Sequence, residues 1–136
     1  MTAAELTFLA ARWRSVTVAD AMHRGVVTCP HNACAVVAAR IMAAHRIHFV
    51  VVVDASGHCV ASVSDVEVLA AAKNETLELV TAREIGTPPV LVEPTVQLAA
   101  AVRLMHRHAV THLVVAERRS SRPLGVISVL DVVDRM

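Results

Sequence analysis

The feature that most constrains the fold of this chain is an internal repeat. Short blocks from the first half recur in the same order in the second half, about 64 residues later, and the spacing changes only at expected turns. Such self-similarity indicates one supersecondary unit used twice. The matched blocks are Thr17–Met22 with Thr81–Gly86, Val26–Pro30 with Val90–Pro94, Ala38–Met42 with Ala101–Met105, Ile47–Val52 with Val110–Val115, and Cys59–Asp65 with Gly125–Asp131.

Each repeat predicts the order strand, helix, strand, strand, helix. Continuous apolar runs such as Phe49–Val53 are typical of strands covered on both faces, and apolar residues at helical spacing follow Pro94. The segment 73–80 has no Gly or Pro, and we expect it to be a helical connector. We predict an α/β (α+β) fold with an amphipathic helix at 1–15, repeats at 16–72 and 81–136, and the connector between them.

Composition excludes several classes of protein. The chain is 55% hydrophobic, but its longest apolar run, Phe49–Val53, is far shorter than the roughly 20 residues that a membrane span needs. A formal net charge of +1 gives no electrostatic basis for binding nucleic acid. The cysteines, Cys29, Cys34 and Cys59, have no CxxC spacing, which favours the reducing cytoplasm.

No motif for catalysis or metal binding is found. Four glycines cannot make a P-loop or a dinucleotide-binding fingerprint, and no G-x-S-x-G is present. The histidines have no HExxH pattern and no acidic neighbour to orient them as ligands. We therefore predict a protein that is not an enzyme, holds no metal and requires no cofactor.

A Ser-x-x-Asp pattern stands at the start of the last helix of each repeat, as Ser62 with Asp65 and Ser128 with Asp131. A helix start with a hydroxyl beside it can hold a phosphate, and the aspartate can accept hydrogen bonds from a ribose diol. The same pattern also describes a capping box, which would only satisfy the N–H groups of its own helix. Both interpretations stay open.

The doubled set of motifs resembles the CBS (cystathionine-β-synthase-type) domain pair over residues 16–136. The resemblance is carried by the Thr-x-x-acid-x-Met that begins at Thr17, the prolines after the first strands, the late helix methionines and the final Ser-x-x-Asp. It implies two repeats packed through their sheets into a pseudo-two-fold module with two clefts. It also implies dimers of such modules, and an adenosyl ligand such as AMP, ADP, ATP or S-adenosylmethionine in the clefts.

The resemblance also implies which residues bind. The two Ser-x-x-Asp pairs would hold ribose and phosphate, and we expect an adenine slot between the residues that lead into the first and second strands of each repeat. The predicted slot residues are Gly25, Val26, Thr28, Ile47 and His48 in the first repeat, and Thr87, Pro88, Val90, Val110, Thr111 and His112 in the second.

Basic residues at each turn from helix to strand are candidates for phosphate contacts. The set comprises His45, Arg46, His48, Arg107, His108 and His112. The alternative is that these residues bind no ligand, and that the negative end of the helix dipole merely favours cations at this position.

The two halves differ at one motif position. Cys59 aligns with Gly125, where a side chain would crowd a ligand, so we predict that the second cleft is the better site.

Two functional hypotheses remain. The chain is either an adenosyl-ligand sensor that passes its signal to a separate effector protein, or a ligand-free adaptor that acts through protein contacts. In either case we expect a homodimer, because the last helices carry more apolar residues than one module can bury. Those residues are Val66, Val68, Leu69, Val129, Leu130, Val132 and Val133.

Overall fold

The computed structural model describes residues 2–5 and 13–136, and these form two compact units. Unit 1 contains the described residues up to Gly25 together with Val90–Arg119 and Leu124–Met136. Unit 2 contains Val26–Pro89 and Ser120–Pro123. Each unit therefore combines one repeat with residues from elsewhere in the chain.

The predicted element order, strand, helix, strand, strand, helix, is confirmed in both repeats. In chain order the elements are α1 (Val18–Ala21), β1 (His23–Arg24), β2 (Thr28–Pro30), α2 (Ala35–His45), β3 (Phe49–Val53), β4 (Cys59–Ser64), α3 (Asp65–Lys73), α4 (Ala82–Ile85), β5 (Leu91–Val92), α5 (Leu98–His108), β6 (His112–Ala116), β7 (Pro123–Ser128) and α6 (Val129–Val133).

The strands form two sheets, one in each unit. Unit 2 has the order β2-β3-β4, with β2 parallel and β4 antiparallel to β3. Unit 1 has the order β1-β7-β6-β5, with β5 parallel to β6 and β1 antiparallel to β7. The apolar runs of β3 and β6 lie at the centres of these sheets, which explains why they lack the alternation of a half-exposed strand.

Each unit has its own apolar core. In unit 1, Leu113, Val115 and Ile127 pack with Leu98 of α5 and with Trp13, whose indole nitrogen donates to the carbonyl of Arg135 at 3.0 Å. In unit 2 the core consists mainly of small residues. Its buried members are Cys29, Ala38, Met42, Val50, Val52, Ala61, Val63 and Ala82. Small side chains let the helices approach the sheet closely, which accounts for the Ala- and Val-rich composition.

The segment that leads into each repeat packs against the other repeat. We call residues 16–25 the first leading segment and residues 80–89 the second. In unit 1, the N–H of Leu98 donates to the carbonyl of Val16 at 2.9 Å. In unit 2, the N–H of Ala35 donates to the carbonyl of Val80 at 2.8 Å. This exchange places each leading segment in the same unit as the other repeat.

Two further expectations are affected by the structure. The connector is not helical, since residues 74–80 form turns and Glu75 has a left-handed φ of 57°. Residues 3–5 are helical, but the rest of the predicted N-terminal helix, 6–12, lies outside the described residues. In the part of the chain that is described, no helix is both long and apolar enough to cross a bilayer.

Candidate functional site

The structure corrects the alignment of the final motif. β4 and β7 both have six residues, and the helices that follow have Ser64 and Ser128 as their N-caps. Ser128 therefore corresponds to Ser64, and Asp131 corresponds to Glu67. Backbone bonds agree with this register, because Asp65 N–H donates to the His48 carbonyl at 3.2 Å where Val129 N–H donates to the Thr111 carbonyl at 3.0 Å.

The predicted pair Ser62 and Asp65 was thus displaced by two residues from the true equivalent of Ser128 and Asp131. Ser62 is buried within β4, two residues before the cap, while Asp65 is an exposed first residue of α3. The error arose because Ser62-x-x-Asp65 matches the second repeat by residue identity, whereas Ser64-x-x-Glu67 matches it by the length of the strand.

The Asp131 site comprises Ser128, Asp131, Gly125 and the facing residues Met22 and His23. Asp131 is only 4% exposed. Its Oδ2 accepts from the N–H of Ser128 at 2.8 Å and from the hydroxyl at 3.1 Å. Its Oδ1 lies 2.9 Å from Nε2 of His23. A buried carboxylate needs such partners on both oxygens.

A close approach of two backbones builds this site. Antiparallel pairing sets His23 opposite Val126 and Arg24 opposite Gly125. A Cβ on Gly125 would overlap the carbonyl oxygen of His23 and would lie 3.1 Å from the Met22 sulfur. Gly125 is therefore required by the leading segment itself, in addition to any role in leaving room for a ligand.

The Glu67 site is the equivalent arrangement in unit 2, comprising Ser64, Glu67, Ala61, Gly86 and Thr87. Here the glycine is on the leading segment: a Cβ on Gly86 would lie 3.0 Å from the Cβ of Ala61. Both carboxylate oxygens of Glu67 bind its own cap, at 3.0 Å from the Ser64 N–H and 2.7 Å from the hydroxyl. This longer acid folds back onto its cap.

The exchange of leading segments regroups the predicted adenine-slot residues. Thr87 pairs with Ser62 through two backbone hydrogen bonds of 2.9 and 3.0 Å, so Thr87 and its neighbour Pro88 lie in unit 2, whereas Ser128 and Asp131 lie in unit 1. Conversely, Gly25 lies in unit 1 with Asp131. The leading segment of each repeat thus lies in the unit of the other repeat, an arrangement that sequence could not reveal, because contacts between such distant segments leave no local pattern.

Among the other predicted residues of unit 2, His48 contacts the start of α3, and the rest lie on other elements of the unit. The His48 ring lies 3.2 Å from the carboxylate of Asp65, with both side chains exposed. Ile47 precedes it in the turn after α2. Thr28 pairs with Val51 at the edge of the sheet, and Val26 lies just before that strand. Arg46 is exposed in the left-handed conformation that ends α2.

In unit 1, the predicted residues Val110 and Thr111 lie in the turn between α5 and β6. The carbonyl of Thr111 accepts a hydrogen bond from the N–H of Val129, which is next to Ser128 of the Asp131 site. The hydroxyl of Thr111 is 2.9 Å from Nδ1 of His112. The candidate phosphate contacts Arg107 and His108 are exposed in the last turn of α5.

Sequence reasoning did not identify His23, Met22, Gly86, Ser64 or Glu67 as site residues. A signal existed for the last two, since Ser64-x-x-Glu67 before an apolar run is a capping-box pattern. No local signal existed for His23, because its carboxylate partner is more than 100 residues away.

Cys59 does not hold the position that the sequence comparison gave it. The residue equivalent to Gly125 is Ala61, and Cys59 lies two residues earlier, buried at the start of β4. Burial raises the pKa of the Cys59 thiol to about 11. A thiol with so high a pKa stays protonated at neutral pH and acts as a small apolar residue.

Comparison with known protein families identifies the family of this chain. The model of the CBS domain matches residues 18–74 and 82–136. Because these matches cover most of the chain, it belongs to the CBS domain family. A comparison with curated proteins found no match.

Solved structures have the same fold. A CBS domain protein from Pyrobaculum aerophilum, complexed with AMP, is 26% identical with a TM-score of 0.79, covering 85% of this chain and 89% of that one. The CBS domain of a CBS domain-containing membrane protein from Sphaerobacter thermophilus is 22% identical with a TM-score of 0.77, over 98% and 95%. The CBS domain of a bacterial CNNM/CorC family Mg²⁺ transporter, complexed with ATP, is 20% identical with a TM-score of 0.81, over 97% and 94%.

Proposed function

We propose that this chain is a non-catalytic regulatory module that binds an adenosyl ligand at the Asp131 site. The observation that carries the proposal is the buried carboxylate of Asp131, held beside Ser128 and reached by the first leading segment. A fixed carboxylate just beyond the end of a strand can accept hydrogen bonds from both hydroxyls of a ribose. The AMP complex of the Pyrobaculum relative supports the class of ligand.

The Asp131 site is the better of the two candidates. Glu67 directs both oxygens to Ser64, so a ribose would have to break the capping box of α3 to reach it. At Asp131, only Oδ2 is committed to the cap, and the Oδ1 contact is to an exposed histidine side chain. We expect one ligand per chain.

The adenine would lie beside the turn formed by Val110 and Thr111, on the same unit as Asp131. Arg107 and His108, at the end of α5, would extend toward phosphates, where a cation is favourable. Ligand binding would shift the population of conformations and thereby signal to a separate effector protein, most simply in the cytoplasm.

Thermal melting with AMP, ADP, ATP and S-adenosylmethionine tests the proposal. A ligand at about 100 times its Kd stabilises the folded state by about 2.7 kcal/mol, which raises Tm by about 5–10 °C in a chain of this size. The matched variants are Asp131→Asn and Glu67→Gln, because both weaken a capping box. The shift should be lost in D131N and kept in E67Q. No shift with any ligand at millimolar concentration would contradict the proposal.

A second candidate function, a dimerising adaptor with no ligand, is favoured by exposed apolar side chains. Val66 and Leu69 of α3 are 67% and 70% exposed, and Leu130 of α6 is 73% exposed. In unit 1, α5 and α6 also border an apolar groove of about 420 Å³. We propose that a second copy of the chain covers these helices, since a monomer rarely leaves so much apolar surface in water.

Analytical ultracentrifugation tests this assembly. The wild type should sediment as a dimer, and Leu130→Lys should weaken association strongly. A wild type that stays monomeric at high micromolar concentration would remove the adaptor candidate, without affecting the ligand proposal.

A further inference from the structure

The contact between His23 and Asp131 has no equivalent at the Glu67 site. Thr87 occupies the position of His23 in the second leading segment, and Glu67 is satisfied by Ser64 instead. Among residues 2–5 and 13–136, the 2.9 Å contact from His23 to Asp131 is thus specific to the site that we assign to the ligand.

The two partners differ sharply in exposure. Asp131 is 4% exposed, whereas the side chain of His23 is 80% exposed. The backbone of His23 is held by its pairing with Val126 and by the close approach of Gly125. The imidazole can therefore rotate into solvent without disturbing the core, while the strand that carries it stays in place.

A ribose hydroxyl and the imidazole need the same acceptor. Oδ2 of Asp131 already accepts two hydrogen bonds from Ser128, so a ligand hydroxyl must reach Oδ1, which His23 occupies. A neutral imidazole holds this oxygen by an ordinary hydrogen bond. A protonated imidazole holds it by a charge-assisted hydrogen bond, which is about twice as strong.

We propose that His23 is an autoinhibitory latch, whose imidazole occupies the Asp131 oxygen that the ligand needs and holds it more tightly when protonated. The latch rests on the proposed function and adds a regulatory input to it. An imidazole gains its charge as the pH falls, so acidification should close the site. The titratable and charged groups on the surrounding elements are Asp20 of α1, Arg24 of β1, Asp131, Asp134 and Arg135 in and after α6, and His112 of β6.

Calorimetric titration with adenosine tests the latch. Adenosine carries the ribose but no phosphate, so attraction between an imidazolium and phosphate cannot mask the effect. Wild-type affinity should fall about fivefold from pH 8.0 to pH 5.5, the difference between a charged and a neutral hydrogen bond. His23→Thr copies the residue at the equivalent position 87, and it should bind more tightly and at both pH values equally.

Two further variants control this experiment. His23→Gln keeps a donor that cannot be charged, so its affinity should be close to the wild-type value at pH 8.0 and should not fall at pH 5.5. His58→Thr removes an imidazole that contacts a different aspartate, Asp54, at 3.7 Å and away from the predicted binding residues, and it should behave as the wild type at both pH values.

The outcomes separate the two proposals. If wild type and H23T bind adenosine with equal affinity at both pH values, the latch is wrong and the proposed function stands. If no variant binds at either pH, the proposed function fails and the latch fails with it.

Nitrogen-15 NMR of the ligand-free protein gives an independent readout. Asp131→Asn should shift the His23 ring nitrogens and leave those of His48 in place. Unchanged His23 signals would overturn the latch without reference to any ligand.

Discussion

The Asp131 and Glu67 sites are built on one plan and differ in four residues. In both, a six-residue strand ends in a serine that caps the next helix, and an acid three residues later completes the capping box. The close approach of the leading segment needs a glycine on one side, at Gly125 in unit 1 and at Gly86 in unit 2. Only the Asp131 site leaves a carboxylate oxygen free of the cap.

One motif can therefore serve both as a capping box and as a ligand site. Asp131 is short enough that one oxygen serves Ser128 while the other faces His23. Glu67 is one methylene longer, and both of its oxygens reach Ser64. The length of the acid therefore decides whether the motif is only structural or is also available for binding.

The largest effect is expected from Gly125→Ala. The new Cβ would overlap a backbone oxygen, which cannot rotate away, so β1 must separate from β7. We expect a loss of about 3 kcal/mol in the free energy of unfolding, measured in urea. Gly86→Ala, whose Cβ would be 3.0 Å from a side-chain carbon and from the Ser62 carbonyl oxygen, should lose less. Equal stability of G125A and wild type would show that the two backbones are not in contact.

A smaller loss is expected when the caps are removed. Ser64→Ala should cost about 1 kcal/mol, as is usual for an N-cap. Ser128→Ala should cost about 2 kcal/mol, because it also removes a hydroxyl donor from the buried Asp131 carboxylate. Urea unfolding of both variants measures the difference, and a larger loss in S64A would reverse our ranking of the two carboxylates.

These capping residues show how much of the fold and of the site could be predicted from the sequence. The repeat, the element order and Ser128 with Asp131 were predictable, because hydrophobic runs and local motifs record them. The equivalence of Ser64 with Ser128 was missed, since Ser62 gave a better match by identity, and strand length is not visible in residue types. The pairing of His23 with Asp131 and of Thr87 with Ser62 depends on the exchange of leading segments, which no local pattern encodes.

Shortening the acid of the Glu67 site should convert it into a second binding site. In Glu67→Asp, the carboxylate can no longer place both oxygens on Ser64, so one becomes available to a ribose. Calorimetry with AMP should give one ligand per chain for wild type and a weaker second site for E67D. A wild type that already binds two ligands would contradict the distinction between the sites.

The smallest effect concerns the cysteines. Cys34 is exposed, whereas Cys59 is buried with its pKa raised to about 11. Because the thiolate is the reactive form, iodoacetamide at pH 8 should alkylate Cys34 first and leave Cys59 intact in the folded protein. Mass spectrometry of peptides identifies the modified residue, and rapid labelling of Cys59 would place it at the surface, against the structure.

An NMR titration of the ¹⁵N-labelled protein with AMP shows directly where the ligand binds. We expect the amide signals of His23–Gly25 and Val126–Asp131 to shift together and to saturate at one ligand per chain, while those of Ser62–Glu67 move little. Shifts confined to Ser62–Glu67, or no saturable shift at all, would contradict the assignment of the ligand to the Asp131 site.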